Sequence, residues 1–213
     1  MATDTAPTDT PSTANDTSVG NSPLTLAGTT TWTSDSTRGE SLTFDGSTGE
    51  ADAGGPVLDT TGSYSVSAWV KMTSLPTRST TIAAQDGTEN SPFYLQYNYS
   101  TSGSPGWSFL FAKADTASPG FWNASATGAT LNWTHLVGTY NATTKTGSLY
   151  VNGALASTVI GVTSWNATGP FTVGRDKYNG TATDHLPATV GDVQAWNYAL
   201  GPNQVTALYQ QIP

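Results

Sequence analysis

The side chains with the most capacity for chemistry in this sequence are scattered carboxylates, two histidines and a few cations, set among many aromatic and amide groups. Retaining cleavage of a glycosidic bond needs two carboxyl groups about 5 Å apart, commonly close together on one strand. The only glutamates, Glu40, Glu50 and Glu89, all stand in loop-like contexts, and no E-x-D-x-x-E run occurs. Hydrolysis is left with one alternative, an Asp pair assembled from distant loops, and the sequence predicts no catalytic residue. His135 alternates with Trp133 and Val137 along a strand, the setting of a packed, hydrogen-bonded imidazole. His185, beside Asp184, falls in a loop and reads as an exposed histidine or as the rim of a site. No G-x-S-x-G elbow offers a nucleophile, and two histidines without cysteine fall short of a zinc set.

Binding chemistry is better represented. In AQDGTENSPFYLQY, Gln85, Asp86 and Gln96 offer amide and carboxylate groups, and Tyr94 offers a flat ring with a hydroxyl. In GRDKYNG, Arg175, Lys177 and Tyr178 cluster in a chain with few cations elsewhere. A sugar needs this combination: planar hydrogen-bonding groups for its hydroxyls and an aromatic face for the C–H side of its ring. These seven residues form the predicted ligand site, provided the two segments meet at one edge or face. Trp69, Trp133 and Trp196 read as core or strand surface, whereas Trp107, Trp122 and Trp165 are open between core and binding platform.

The elements that must position these groups are strands. Residues 133–140 alternate, with Trp133, His135, Val137 and Thr139 on one face and Leu136 and Tyr140 on the other. The row of Trp133 and Val137 is expected to point inward. A second strand carries Leu149 and Val151 opposite Tyr150 and ends at Asn152-Gly153, a two-residue hairpin signal. Tyr64, Val66, Ala68, Val70 and Met72 form the inward row of another strand, and similar alternation marks 93–97 and 107–111. NYSTSGSPG between the last two reads as an exposed hairpin loop. Pro202 to Tyr209 reads as a short closing helix. Many strands separated by Gly, Asn and Pro turns predict an all-β fold, a two-sheet antiparallel sandwich of jelly-roll type.

Composition narrows the function. Lys and Arg total 7 of 213 residues and the net charge is −8, which excludes a phosphate-tracking nucleic-acid surface. No apolar run approaches the roughly 20 residues of a membrane-spanning helix. Cysteine is absent, so disulfides and thiol chemistry are excluded. Residues 1–22, rich in Thr, Pro, Ser and Asp, are expected to be a disordered tail or linker, with the folded domain spanning 23–213. The linker-like opening carries no secretion signal, which fits a module of a larger secreted or cell-surface protein.

Four stretches carry a resemblance: W-x-H-L followed by L-Y-V-N-G in 133–153, SLTFDGSTG (41–49), SYSVSAWVKM (63–72) and VGDVQAWNYAL (190–200). Together they resemble bacterial laminin-G-like domains of the concanavalin A-like type, over residues 23–209. The resemblance implies a jelly roll that binds sugars or protein surfaces. It also implies that Asp45, in F-D-G, and Asp192, in G-D-V, lie close together around a structural calcium ion. Relatives often carry two acidic residues where this chain has Gly191-Asp192, and Asp45 alternatively reads as a turn residue capping local N–H groups. The expected function is a non-catalytic, lectin-like module for a neutral glycan, the alternative being a structural or adhesion module that contacts an extracellular protein surface.

Overall fold

A computed structural model describes residues 12–99 and 104–211. They form strands β1 (Thr13–Ala14), β2 (Leu24–Ala27), β3 (Thr30–Asp35), β4 (Gly39–Asp45), β5 (Glu50–Asp52), β6 (Tyr64–Met72), β7 (Thr80–Gln85), β8 (Phe93–Asn98) and β9 (Gly106–Ala112). There follow β10 (Phe121–Thr127), β11 (Thr134–Asn141), β12 (Thr146–Val151), β13 (Ala154–Ile160), β14 (Phe171–Val173), β15 (Asp176–Tyr178), β16 (Thr181–Thr183), β17 (Pro187–Trp196) and helix α1 (Pro202–Gln210). One sheet has eight strands in the order β1-β2-β5-β14-β7-β8-β9-β10; the other has seven, β13-β12-β11-β6-β17-β4-β3. All pairings are antiparallel, and the two sheets make the expected sandwich.

The inner faces supply the core. Tyr64, Val66, Ala68, Val70 and Met72 of β6 face Phe93, Leu95 and Tyr97 of β8 and Trp107, Phe109 and Phe111 of β9. Aromatic rings join the sheets: Tyr64 lies 5.1 Å from Phe93 and 5.4 Å from Tyr140, and Phe111 lies 5.8 Å from Tyr140. Such tilted contacts add to the burial of large apolar area. Trp107 is thus core. Asn152 (φ 51°) and Gly153 (φ 80°) connect β12 and β13 in the left-handed geometry that the Asn-Gly signal predicts.

Two expectations are corrected. The inward row of β11 is Leu136, Gly138 and Tyr140, while Trp133 precedes the strand and Val137 faces outward. Val137 is nevertheless fully buried, in a second cluster with Tyr150, Leu200 and Val205 beneath α1. Because the helix covers this outer face, both rows of the strand read as apolar and alternation alone does not tell them apart. His135 sits on the same face as a packed residue, its Nε2 2.9 Å from Ser67 Oγ and its ring 5.0 Å from Trp69.

The second correction concerns the tail. Thr13 and Ala14 pair with Thr25 and Leu24, and Ala14 is buried in the core. Asp16 accepts N–H bonds from Ser18 and Ser22, closing a turn that returns the chain to β2. Residues 12–22 therefore belong to the sandwich, and residues 1–11 of the expected tail lie outside the described residues, as do 100–103 of the expected exposed loop.

At Gly138 of β11 the sheets approach closely: a Cβ there would stand 2.5 Å from the Phe109 ring. That ring is locked among Tyr64, Phe93 and Phe111, so it cannot swing aside. Gly138→Ala is expected to destabilise the fold by about 1–3 kcal/mol, read as a lowered denaturation midpoint. An unchanged midpoint would contradict the inward assignment of this row.

Candidate ligand groove

The β15–β16 hairpin turns at Asn179 (φ 50°) and Gly180 (φ 74°), a second Asn-Gly signal. It lies over the outer face of the eight-stranded sheet and is clamped along its length. Ser91 N–H donates to Lys177 O at 2.9 Å, Gly180 N–H to Glu89 O at 2.7 Å, and Thr81 N–H to Asp184 O at 2.8 Å. The Tyr94 hydroxyl donates to Lys177 O at 3.2 Å and accepts from Ser91 N–H. At its base, Arg175 Nη1 bonds Asp86 Oδ2 at 2.5 Å and Nε bonds Glu50 Oε2 at 2.6 Å.

Between hairpin and sheet runs an open groove of about 230 Å³. Its apolar wall is Phe121, Tyr94, Tyr178 and Leu110; its polar groups are Gln96, Ser79, Asp176 and Asp184. The Phe121 ring lies 6.2 Å from Tyr178 and 6.0 Å from Tyr94. These side chains project outward because their inward neighbours Phe93, Leu95, Phe109 and Phe111 occupy the core.

The groove's electrostatics are unusual. Asp176 is buried, accepts a hydrogen bond from the Thr81 hydroxyl at Oδ2, and has no partner at Oδ1 among the described residues. Burial pushes its carboxyl well above the usual carboxylate range, and the nearby charge of Asp184 adds to this. Burial also raises the Asp184 carboxyl, against the opposing charges of Arg78 and His185. Tyr94 is raised too, mainly by burial, so its hydroxyl stays neutral.

Of the seven predicted ligand residues, Tyr94, Gln96 and Tyr178 line the groove. The others hold the scaffold. Gln85 is fully buried, its Oε1 accepting from Val57 and Leu58 N–H and its Nε2 donating to Leu58 and Ala167 carbonyls. Asp86 and Arg175 are engaged with each other, and Lys177 Nζ donates to Gly87 O at 3.1 Å. Planar amides and charges satisfy buried backbone as readily as they satisfy a ligand. Asp176, Asp184 and Phe121 were not singled out from the sequence. A signal exists for Asp176: Asn179-Gly180 flanked by DKY and TAT is a hairpin pattern that sets Asp176 and Tyr178 on one face. Among the undecided tryptophans, Trp122 packs against the core edge under Lys113, and Trp165 Nε1 donates to Ala112 O, tying down a loop. Glu40 and Glu50, expected in loops, lie in β4 and β5.

The shared calcium site is not assembled. Pro187 pairs with Asp45, so Asp192 lies five residues further along β17, on the order of 16 Å away at about 3.3 Å per residue. Asp45 accepts N–H bonds from Ser47, Thr48 and Gly49, the arrangement of a turn residue. Asp192 occupies a bulge of β17 at φ 51°, 4.0 Å from Arg38 Nη1. Among the described residues, no group of three or more His, Cys, Asp or Glu side chains is placed to hold a metal ion. A wider depression of about 510 Å³ lies between residues 16–22, Pro56–Val57 and Ala195–Tyr198, but its carboxylate, Asp16, is directed into its own turn.

Removing one partner of a buried charge pair leaves the other charges uncompensated. Arg175→Ala is expected to cost about 3–5 kcal/mol of stability, read by denaturant titration. A loss no larger than that of an exposed surface substitution would return Arg175 to the list of candidate ligand contacts.

The laminin-G family, described as the concanavalin A-like lectin/glucanases superfamily, matches residues 45–206. No curated protein matches the chain. Among solved structures, the chain is similar to domain 4 of AbnA, an extracellular GH43 arabinanase from Geobacillus stearothermophilus, in complex with arabinotriose. The identity is 20% and the TM-score 0.68, with 88% of each chain covered. It is also similar to the binding domain of botulinum neurotoxin DC in complex with SialylT (15% identity, TM-score 0.69, 92% of this chain and 48% of that one). A native heptameric SAP-like pentraxin from Limulus polyphemus aligns at 15% identity and TM-score 0.60, over 80% of this chain and 81% of that one. These likenesses are of fold. The chain belongs to the laminin-G family of the concanavalin A-like lectin/glucanase superfamily.

Proposed function

We propose that this protein is a non-catalytic carbohydrate-binding module of a larger secreted or cell-surface protein, and that its glycan lies in the groove beneath the β15–β16 hairpin. The observation that carries this reading is the convergence of Phe121, Tyr94 and Tyr178 with Gln96, Ser79, Asp176 and Asp184 in one open cleft. An aromatic wall covers the apolar face of a sugar ring while amide, hydroxyl and carboxyl groups meet its hydroxyls. Few convergent polar groups in a mainly apolar concavity are the usual form of a small-ligand site. The rigid sheet holds these side chains at little conformational cost on binding. Two fold relatives, the arabinanase domain and the toxin binding domain, were solved in complex with arabinotriose and with SialylT, which supports a sugar rather than another small molecule.

The second reading is a protein-contacting module. It draws on the edge strand β13, where Leu155 and Ile160 stand exposed. A glycan array separates the two. On any glycan bound, Phe121→Ala and Tyr178→Ala should each weaken affinity about tenfold or more, with the thermal melt unchanged. Retained affinity in both would place the ligand elsewhere, and silence across the array would favour protein contact through β13. The domain should also release no reducing ends from the bound polysaccharide. Sustained turnover abolished by Asp184→Asn would instead make the Asp176–Asp184 pair hydrolytic.

A further inference from the structure

We infer that the groove is selective for a sugar bearing a free, protonated amine, such as a 2-amino-2-deoxyhexose unit of a de-N-acetylated oligosaccharide. This rests on the reading of the groove as a glycan site and names its ligand class.

Two carboxyl groups, Asp176 and Asp184, border one cleft, and among the described residues no basic side chain lines it. The nearby cations Arg175, Arg78 and His185 offset the charge of these acids in part, but the hydrogen bonds of the two arginines go elsewhere. Arg175 is held by Asp86 and Glu50, and Arg78 Nη2 donates to the carbonyls of Gly46 and His185. Only one oxygen of Asp176 is bonded, to the Thr81 hydroxyl, while Oδ1 is buried without a partner among the described residues. An acceptor left so within a protein is costly. A carboxyl pair in a shared site repels when both are ionised, and these two avoid it by keeping Asp176 protonated, so a cationic donor entering the cleft would favour the doubly ionised pair.

An ammonium group supplies three donors and one positive charge. Beside Asp184 it would pair with that carboxylate and let Asp176 release its proton, so that both acids of the cleft are ionised around one cation. A hydroxyl supplies a donor but no charge, and a uronic or sialic carboxylate would bring a further negative group against Asp184. Phe121, Tyr94 and Tyr178 complete the match, because ring faces attract a cation and also cover the C–H face of a hexose. A neutral glycan, the expectation from composition, is therefore the weaker of two ligands for the same groove.

The test compares a glucosamine oligosaccharide, its N-acetylated counterpart, a glucose oligosaccharide and a glucuronic acid oligosaccharide by calorimetry. The full chain is used at about pH 6, where a sugar amine is charged. The expected result is at least tenfold tighter binding of the free-amine oligomer than of the acetylated one, and no measurable binding of the uronic acid. Asp184→Asn and Asp176→Asn should each bring that ratio towards one, and Phe121→Ala should weaken every oligomer. Asp184 is the more exposed of the two acids, so its variant keeps the test open if Asp176→Asn fails to fold. Equal binding of amine and acetylated sugars, both lost in Phe121→Ala, would overturn amine selectivity and leave the glycan groove standing. Amine preference that survives Asp184→Asn, or appears only with added calcium, would also overturn it. Binding of none of the oligomers would sink the glycan reading itself.

Discussion

The guanidinium of Arg175 is the point from which the groove beneath the β15–β16 hairpin is built. It bonds Asp86 at the end of β7 and Glu50 at the start of β5, so one side chain ties three segments distant in sequence. Its planar fork satisfies two carboxylates at once, which a lysine could not do with the same geometry. The pair is buried, and its worth lies less in net stability than in fixing where the chain leaves the sheet. From that point β15 runs with Asp176 and Tyr178 towards the groove and Lys177 towards Gly87. A cleft of defined shape follows from this one constraint.

The same arrangement has a cost at Asp176. Its carboxyl is raised, so the native state holds a proton that the unfolded chain releases near the ordinary carboxylate range. Stability from this residue is therefore lost as pH rises from that range towards the folded-state value. A chain selected for stability alone would place an apolar residue or an amide there.

Both sheets are covered on their outer faces, by different means. On one side α1 buries Val137 and Tyr150, and Tyr209 stacks on Trp69 at 5.7 Å. On the other the β15–β16 hairpin covers Tyr94, Gln96 and Thr81 and leaves the groove at its margin. Covering a sheet twice makes its strands apolar on both faces, as strands of buried sheets are. That is why residues 133–140 supported an inward row of Trp133 and Val137 when Leu136, Gly138 and Tyr140 hold that place.

What the sequence determined by itself was local and periodic. The alternation of β6, β8 and β9, the Asn152-Gly153 turn and the closing helix from Pro202 follow from side-chain period and backbone angles, and four ordered motifs carried the family. Tyr94 and Gln96 are legible as outward residues because they alternate with the core row Phe93, Leu95 and Tyr97. What only the tertiary structure decided was partnership across the chain. Gln85 and Arg175 have the same chemistry whether they meet a sugar or buried backbone and carboxylates, and only the fold brings Leu58, Ala167, Asp86 and Glu50 to them. Asp45 and Asp192 were linked by analogy and are separated by strand register. Asp176 and Asp184 gained their character from burial and mutual repulsion, which are properties of an environment and not of a residue type.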